Sequence, residues 1–165
     1  MDQSRSFEDE LIALLPRLRR FAHALSRNSA DADDLTQAAI ERALRSKALW
    51  KPGTRLDSWT YRIMRNLWID TARKRTRKDR FETPPEEADN IGEDPRESMD
   101  ASADLRRIIA ALELLPDEQR EIVALILVEG FGYREVSEML GLPVGTVASR
   151  LVRGRTALLA MVSEQ

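Results

Sequence analysis

The 165-residue chain contains no cysteine, a single histidine, and few aromatic residues: three Trp, two Tyr and four Phe. Without cysteine there can be no disulfide and no thiolate metal site, which accords with a reducing compartment. His23, between Ala22 and Ala24, reads as a packed or surface residue of a helix rather than a ligand. No apolar run approaches the ~20 residues that a spanning helix needs. The acidic N-terminus does not read as a signal peptide, so a soluble, cytoplasmic protein without direct membrane insertion is expected. A glycine-rich phosphate loop, a metal-spaced His cluster and a Ser-His-Asp arrangement are all lacking, so neither an enzyme nor a cofactor, metal or small-molecule substrate is expected.

What the chain has in quantity is charge, unevenly placed. The net charge is only −2. Residues 1–80 carry 18 Lys/Arg against 11 Asp/Glu, residues 81–104 one Arg against nine acids, and residues 105–165 seven against eight. A basic first part, an acidic connector and a near-neutral second part indicate a division of labour that the overall pI conceals. Segment 81–104 combines those acids with Pro84, Pro85, Gly92 and Pro95 and has few large apolar residues. It reads as a flexible linker able to span on the order of 70 Å when extended, at roughly 3 Å per residue.

Leu and Ala dominate the apolar set, and the periodicity is helical on both sides of the linker. The fold class expected is all-α, with two small helical domains at 1–80 and 105–165. In the first, one helix runs through Leu11, Leu14, Leu15, Leu18, Phe21 and Leu25. A second spans about Ala30–Ser46 and a third Leu56–Lys78. The second part is expected to hold a helix at Leu105–Leu115, one opened by Pro116 and running to Val128, and a final helical pair.

That final pair is the most informative stretch. Val136, Met139 and Leu140 lie on one face of a short helix, and Gly141-Leu142-Pro143 makes a tight turn. Val147 and Leu151 then give the next helix an apolar face, with Arg150, Arg153 and Arg155 alongside. This is the pattern of a helix-turn-helix whose second helix enters a DNA major groove, although an ordinary helical hairpin with a basic face has the same spacing. In the third helix, Trp59, Tyr61, Arg62 and Asn66 precede the basic run Arg73-Lys-Arg-Thr-Arg-Lys78. Aromatics to stack on bases beside cations to meet phosphates suit single-stranded nucleic acid, whereas core packing and a solvated helix end would need the same residues. The second helix exposes Asp33, Asp34, Gln37 and Glu41 near one face, either solvated or docked to a partner.

Taken in this order, the segments resemble the two-domain extracytoplasmic-function sigma factors of bacterial RNA polymerase. Asp33-Asp-Leu-Thr-Gln37 looks like the helix that docks on the polymerase clamp, and Trp59 to Asp70 like the promoter-melting segment. Leu115-Pro-Asp-Glu-Gln-Arg-Glu121 and Leu142 to Arg150 look like parts of the second DNA-binding domain. The resemblance implies sigma2-like and sigma4-like domains and a factor that binds core RNA polymerase, promoter DNA and an anti-sigma factor. It assigns polymerase contact to Asp33, Asp34, Leu35, Gln37 and Glu41, and the melting strand to Lys51, Arg55, Trp59, Tyr61, Arg62, Asn66 and Arg73. Ser149, Val152 and Arg153 would face base edges of the upstream element, with Tyr133, Thr146, Arg150 and Arg155 around them.

The chain departs from that pattern at four positions. Ala38 stands where the family usually has Glu and Ile40 where an aromatic is common, which bears on docking. Ala148 occupies an often basic position and Val152 one sometimes aromatic, which points to a different upstream sequence. Two other binding roles fit parts of the pattern: a decoy that sequesters an anti-sigma factor, and a polymerase-independent DNA-binding regulator. The second would need a dimer and would leave the first domain without a task.

Overall fold

The computed structural model describes residues 5–81 and 103–164. They form eight α-helices, with no strand among the described residues. The expected linker falls mostly outside them: of 81–104, only Phe81, which ends a helix, and Ala103–Asp104, which begin the next, are described.

Helix α1 spans Phe7–Ala13, with the Ser6 side chain accepting a hydrogen bond from the Asp9 N–H at 3.1 Å and three acids in its first turn. The single helix expected through Leu25 is in fact two, because α2 begins at Leu15 and runs to Ser26. Pro16 sits in the first turn of α2, where it lacks an N–H and its ring crowds the carbonyl four residues back. Leu14 turns its own N–H to the carbonyls of Glu10 and Leu11. Arg27 then takes a left-handed conformation (φ 67°) and Asn28 caps α3, Ser29–Arg45, through the Asp31 N–H at 2.8 Å. A short 3₁₀ turn, Lys47–Leu49, and a loop containing Gly53 lead to α4, Leu56–Phe81.

Past the linker come α5, Ala103–Leu114, and α6, Asp117–Val123. The helix expected to continue to Val128 does so with a wider π-helical turn over Ala124–Val128, where the Glu129 N–H bonds the Ala124 carbonyl five residues back. No proline or glycine lies in that turn to announce it. Helix α7 spans Tyr133–Leu140 and α8 Val144–Ser163, joined by Gly141 at φ 65° with its N–H on the Ser137 carbonyl. The left-handed conformation needed there is one glycine adopts without strain.

Leu18, Phe21, Leu35, Tyr61 and Met64 from the first group of helices are buried in one continuous cluster with Leu115, Ile122, Leu125, Phe131 and Val136 from the second. A smaller cluster of Phe7, Leu11, Ala43 and Leu56 is flanked by Trp50 and Trp59. The two units are therefore closed upon each other, sharing a core.

Candidate nucleic-acid and partner interfaces

The α8 helix is held from behind. Val147, Leu151 and Gly154 are buried against the preceding helices, which turns Gly145, Ser149, Val152, Arg153 and Thr156 outward. Val152 is 62% exposed, a large apolar side chain left in water. Arg155 and Tyr133 are exposed nearby, whereas Thr146 and Arg150 are half-buried. Arg150 approaches Glu118 at 3.6 Å, and the Ser149 hydroxyl donates to the Thr146 carbonyl at 3.1 Å. This is the geometry a groove-reading helix needs: a rigid apolar back and a front of small, apolar and cationic groups.

On α3, Asp33, Asp34, Gln37 and Glu41 are all exposed. Leu35 departs from its expected partner-facing role: it is buried in the core, because its position in the helical repeat is that of Ala32 and Ala39. Asp31, on the same helix, is claimed by Arg75 of α4 at 2.7 and 2.8 Å. The Arg75 hydrogen bond, with help from Asn28, holds this carboxyl below its ordinary range.

The residues expected to meet a melted strand are split by the fold. Trp59 is half-buried with its ring 6.1 Å from that of Phe7. With Arg42, Leu49, Ile63, Asn66 and Asp70 it lines a shallow cavity of about 180 Å³ between α3 and α4. Lys51, Asn66 and Arg73 are exposed. Tyr61 is not: it is 1% exposed, its ring 4.8 Å from Phe21 and 5.3 Å from Phe131 of the second unit. Its hydroxyl is buried without a hydrogen bond, near the Glu129 carboxylate; burial followed by that charge pushes its pKa upward. In this arrangement Tyr61 cannot touch DNA.

The two units meet through arginines. Arg20 grips Glu129 in a fork, Nε at 2.8 Å and Nη2 at 3.1 Å, and Arg17 adds a third bond at 3.1 Å. The Glu129 side chain is 1% exposed. Burial alone would raise its pKa, but hydrogen bonds led by that from Arg20 hold it below the usual carboxylate range. Arg55 pairs with Glu135, Arg65 with Glu121, and Arg62 donates to the Glu138 carbonyl at 2.7 Å. From the other side, the buried Arg120 donates to the Ala24 and Leu25 carbonyls at the end of α2. It shares Asp117 with Arg27, both at 2.8 Å.

Two family descriptions match the chain, "Sigma-70 region 2" over residues 11–78 and "Sigma-70, region 4" over residues 105–158. Over 162 residues it is 35% identical to the ECF RNA polymerase sigma factor EcfG of Rhodopseudomonas palustris, covering 98% of this chain and 88% of that one. This chain belongs to the ECF family of RNA polymerase sigma factors. It is also 41% identical over 157 residues to the ECF sigma factor SigE of Mycolicibacterium smegmatis, covering 91% of this sigma factor and 59% of that protein. In three dimensions it resembles the sigma factor RpoE of Bartonella quintana, solved in complex with the anti-sigma factor NepR. The TM-score is 0.81 at 32% identity, covering 94% of this chain and 96% of the other. As a sigma factor it binds core RNA polymerase and promoter DNA and directs transcription initiation.

Within this sigma factor the acids of the second unit are the functional residues least visible in the local sequence. Glu121 ends the Leu115–Glu121 motif, and Glu129, Phe131 and Glu135 carry no local signal of a role. The available signal is an imbalance of sign: an excess of cations in 1–80 needs counter-charges, and acids of the second unit meet them from α6, from Glu129 after the π-helical turn and from α7.

Proposed function

We propose that this sigma factor works as two units, residues 1–80 and 105–165, linked by the acidic segment 81–104, and that each reads its own promoter element. The observation carrying this is the exposed row Ser149, Val152 and Arg153 on a helix fixed from behind by Val147 and Leu151. Arg153 would hydrogen-bond a base edge and Val152 would contact an apolar one such as a thymine methyl, with Arg150, Arg155, Tyr133 and Thr146 directed at the backbone. The exposed acids Asp33, Asp34 and Glu41, with the amide of Gln37, supply the polymerase contact.

For melting, a base must leave the stack at a cost of a few kcal/mol, so a pocket and a stacking partner are required. The cavity beside Trp59 and Asn66 and the loop from Lys51 to Arg55 serve that task, with Arg62 and Arg73 on the phosphates. The factor acts in the cytoplasm and carries no reaction of its own, the chemistry belonging to the polymerase. An anti-sigma factor is its natural restraint, a reading supported by the relative solved with one bound.

Run-off transcription from a promoter library, with core polymerase alone and with this factor added, tests the reading. Discrete transcripts that need the factor establish promoter-specific initiation. Binding to core or to an anti-sigma factor without transcripts would replace it with a decoy role.

A further inference from the structure

The contacts between the two units are not spread evenly over their functional surfaces. Arg55, just before α4, and Arg62 and Arg65 on it stand near one flank, at spacings of seven and three, and each is engaged by α6 or α7. Tyr61, between them, is covered by Phe131, whose ring also lies 4.9 Å from the Arg55 guanidinium. The Arg20 fork around Glu129 has the two-pronged geometry in which guanidinium groups take carboxylate or phosphate alike. Helix α8, by contrast, packs on α5, α6 and α7, and its Ser149–Val152–Arg153 front faces water.

We propose that the acidic edge of the second unit, Glu121, Glu129 and Glu135, acts as an internal stand-in for the backbone of the promoter strand. Single-stranded DNA and the second unit then compete for one arginine surface on the first, while the duplex-reading face of α8 stays available. The inference rests on the assignment of α4 to the melting strand. Of the contacts, Arg55–Glu135 is half in water and contributes little, being screened by salt. Closure instead depends on Glu129, buried and held by two arginines, and on Tyr61 against Phe131. The consequence is ordered engagement: the closed factor can find an upstream duplex, and it must open before it can hold a melted strand.

The absence of native cysteine makes the test direct. Exposed Arg19 and Ala160 are replaced (Arg19→Cys, Ala160→Cys), the full chain is labelled with a dye pair, and energy transfer reports closure. Titrating this protein with oligodeoxythymidine should lower energy transfer in step with binding, since competition is reciprocal. Glu129→Gln with Glu135→Gln should lower energy transfer without oligonucleotide and tighten oligodeoxythymidine binding about tenfold or more, as expected when the competent state is a minor one. Affinity for a mixed-sequence duplex should stay unchanged.

Oligonucleotide binding to the labelled wild-type chain with no fall in energy transfer overturns the competition, an arm that needs no change in the acids. Unaltered energy transfer in the double variant overturns the role of the acids. Adding Arg62→Ala to the opened variant should weaken strand binding. If opening occurs and strand binding is indifferent to Arg62, it is the assignment of α4 that fails, and the closure stands without it.

Discussion

Arg153 and Trp59 stand on different units, and the proposed function gives them different steps, so their replacement should separate recognition from melting. Arg153→Ala removes an exposed guanidinium from the outer face of α8 and should cost about 1–3 kcal/mol of upstream-element binding, the usual worth of a good base contact. A gel-shift titration of holoenzyme on matched and mismatched upstream duplexes checks this, with the loss largest on the matched site. Trp59→Ala removes a stacking platform worth about 1–3 kcal/mol per base. It should slow open-complex formation in a stopped-flow assay while leaving initial binding unchanged. Trp59 also packs on Phe7, so Phe7→Leu is the control: it loosens the same packing and should leave opening near the wild-type rate. The outward set on α8 was legible in the sequence because Val147 and Leu151 define the inward side, and an i,i+4 pair leaves little choice about the rest. Tyr61 and Leu35 were not. Leu35 lies within an acidic motif that draws attention to the surface, and Tyr61 is buried by Phe131, a neighbour that only the closed fold supplies.

The helices themselves followed the apolar periodicity closely, and the departures have local causes of two kinds. The division of α1 from α2 could have been read at Pro16. The π-helical turn at Ala124–Val128 could not, since Ala-Leu-Ile-Leu-Val is an ordinary helical string; the turn is a compromise that leaves Leu125 buried and Glu129 facing the first unit. Gly154 shows tertiary packing deciding a residue's identity inside a helix. A Cβ there would lie 2.8 Å from Val123 Cγ2 and 3.3 Å from the Gln119 Cβ, so α8 touches α6 only because the side chain is absent. Gly154→Ala should therefore destabilise the protein by about 1–3 kcal/mol, the usual cost of overpacking, despite alanine's better helix propensity. Thermal denaturation followed by circular dichroism measures it, and a rise in Tm would refute the close approach.

For the molecule as a whole, acid should undo closure, and the sign follows from the carboxyls at the junction. Glu129, facing Arg17, Arg20 and Tyr61 across the junction, has a folded pKa below its ordinary 4.5, and Asp57, bonded to Arg55 and Arg17 within the first unit, has one below 3.8. Their contribution is complete above the ordinary values and is lost as pH falls through the depressed ones. Glu121 works the other way, because burial raises its pKa against the pull of Arg65. The depressed carboxyls should make stability fall below about pH 5, a fall that Glu121 partly offsets, and Glu129→Gln should flatten it when Tm is measured across the range. The division of the chain into basic, acidic and neutral parts was plain from composition, but how the parts sit together was not, because ion pairs between distant segments leave no periodic trace. One of those contacts reaches further. Arg120 completes the hydrogen bonding of the last carbonyls of α2, the turn that delivers the chain through Arg27 into α3. Withdrawal of Arg120 would leave the Ala24 and Leu25 carbonyls without that donor, so amide hydrogen exchange at Ser26–Asn28 should quicken whenever the second unit departs. The start of α3 would then register the position of α6, a helix that the sequence places more than eighty residues away.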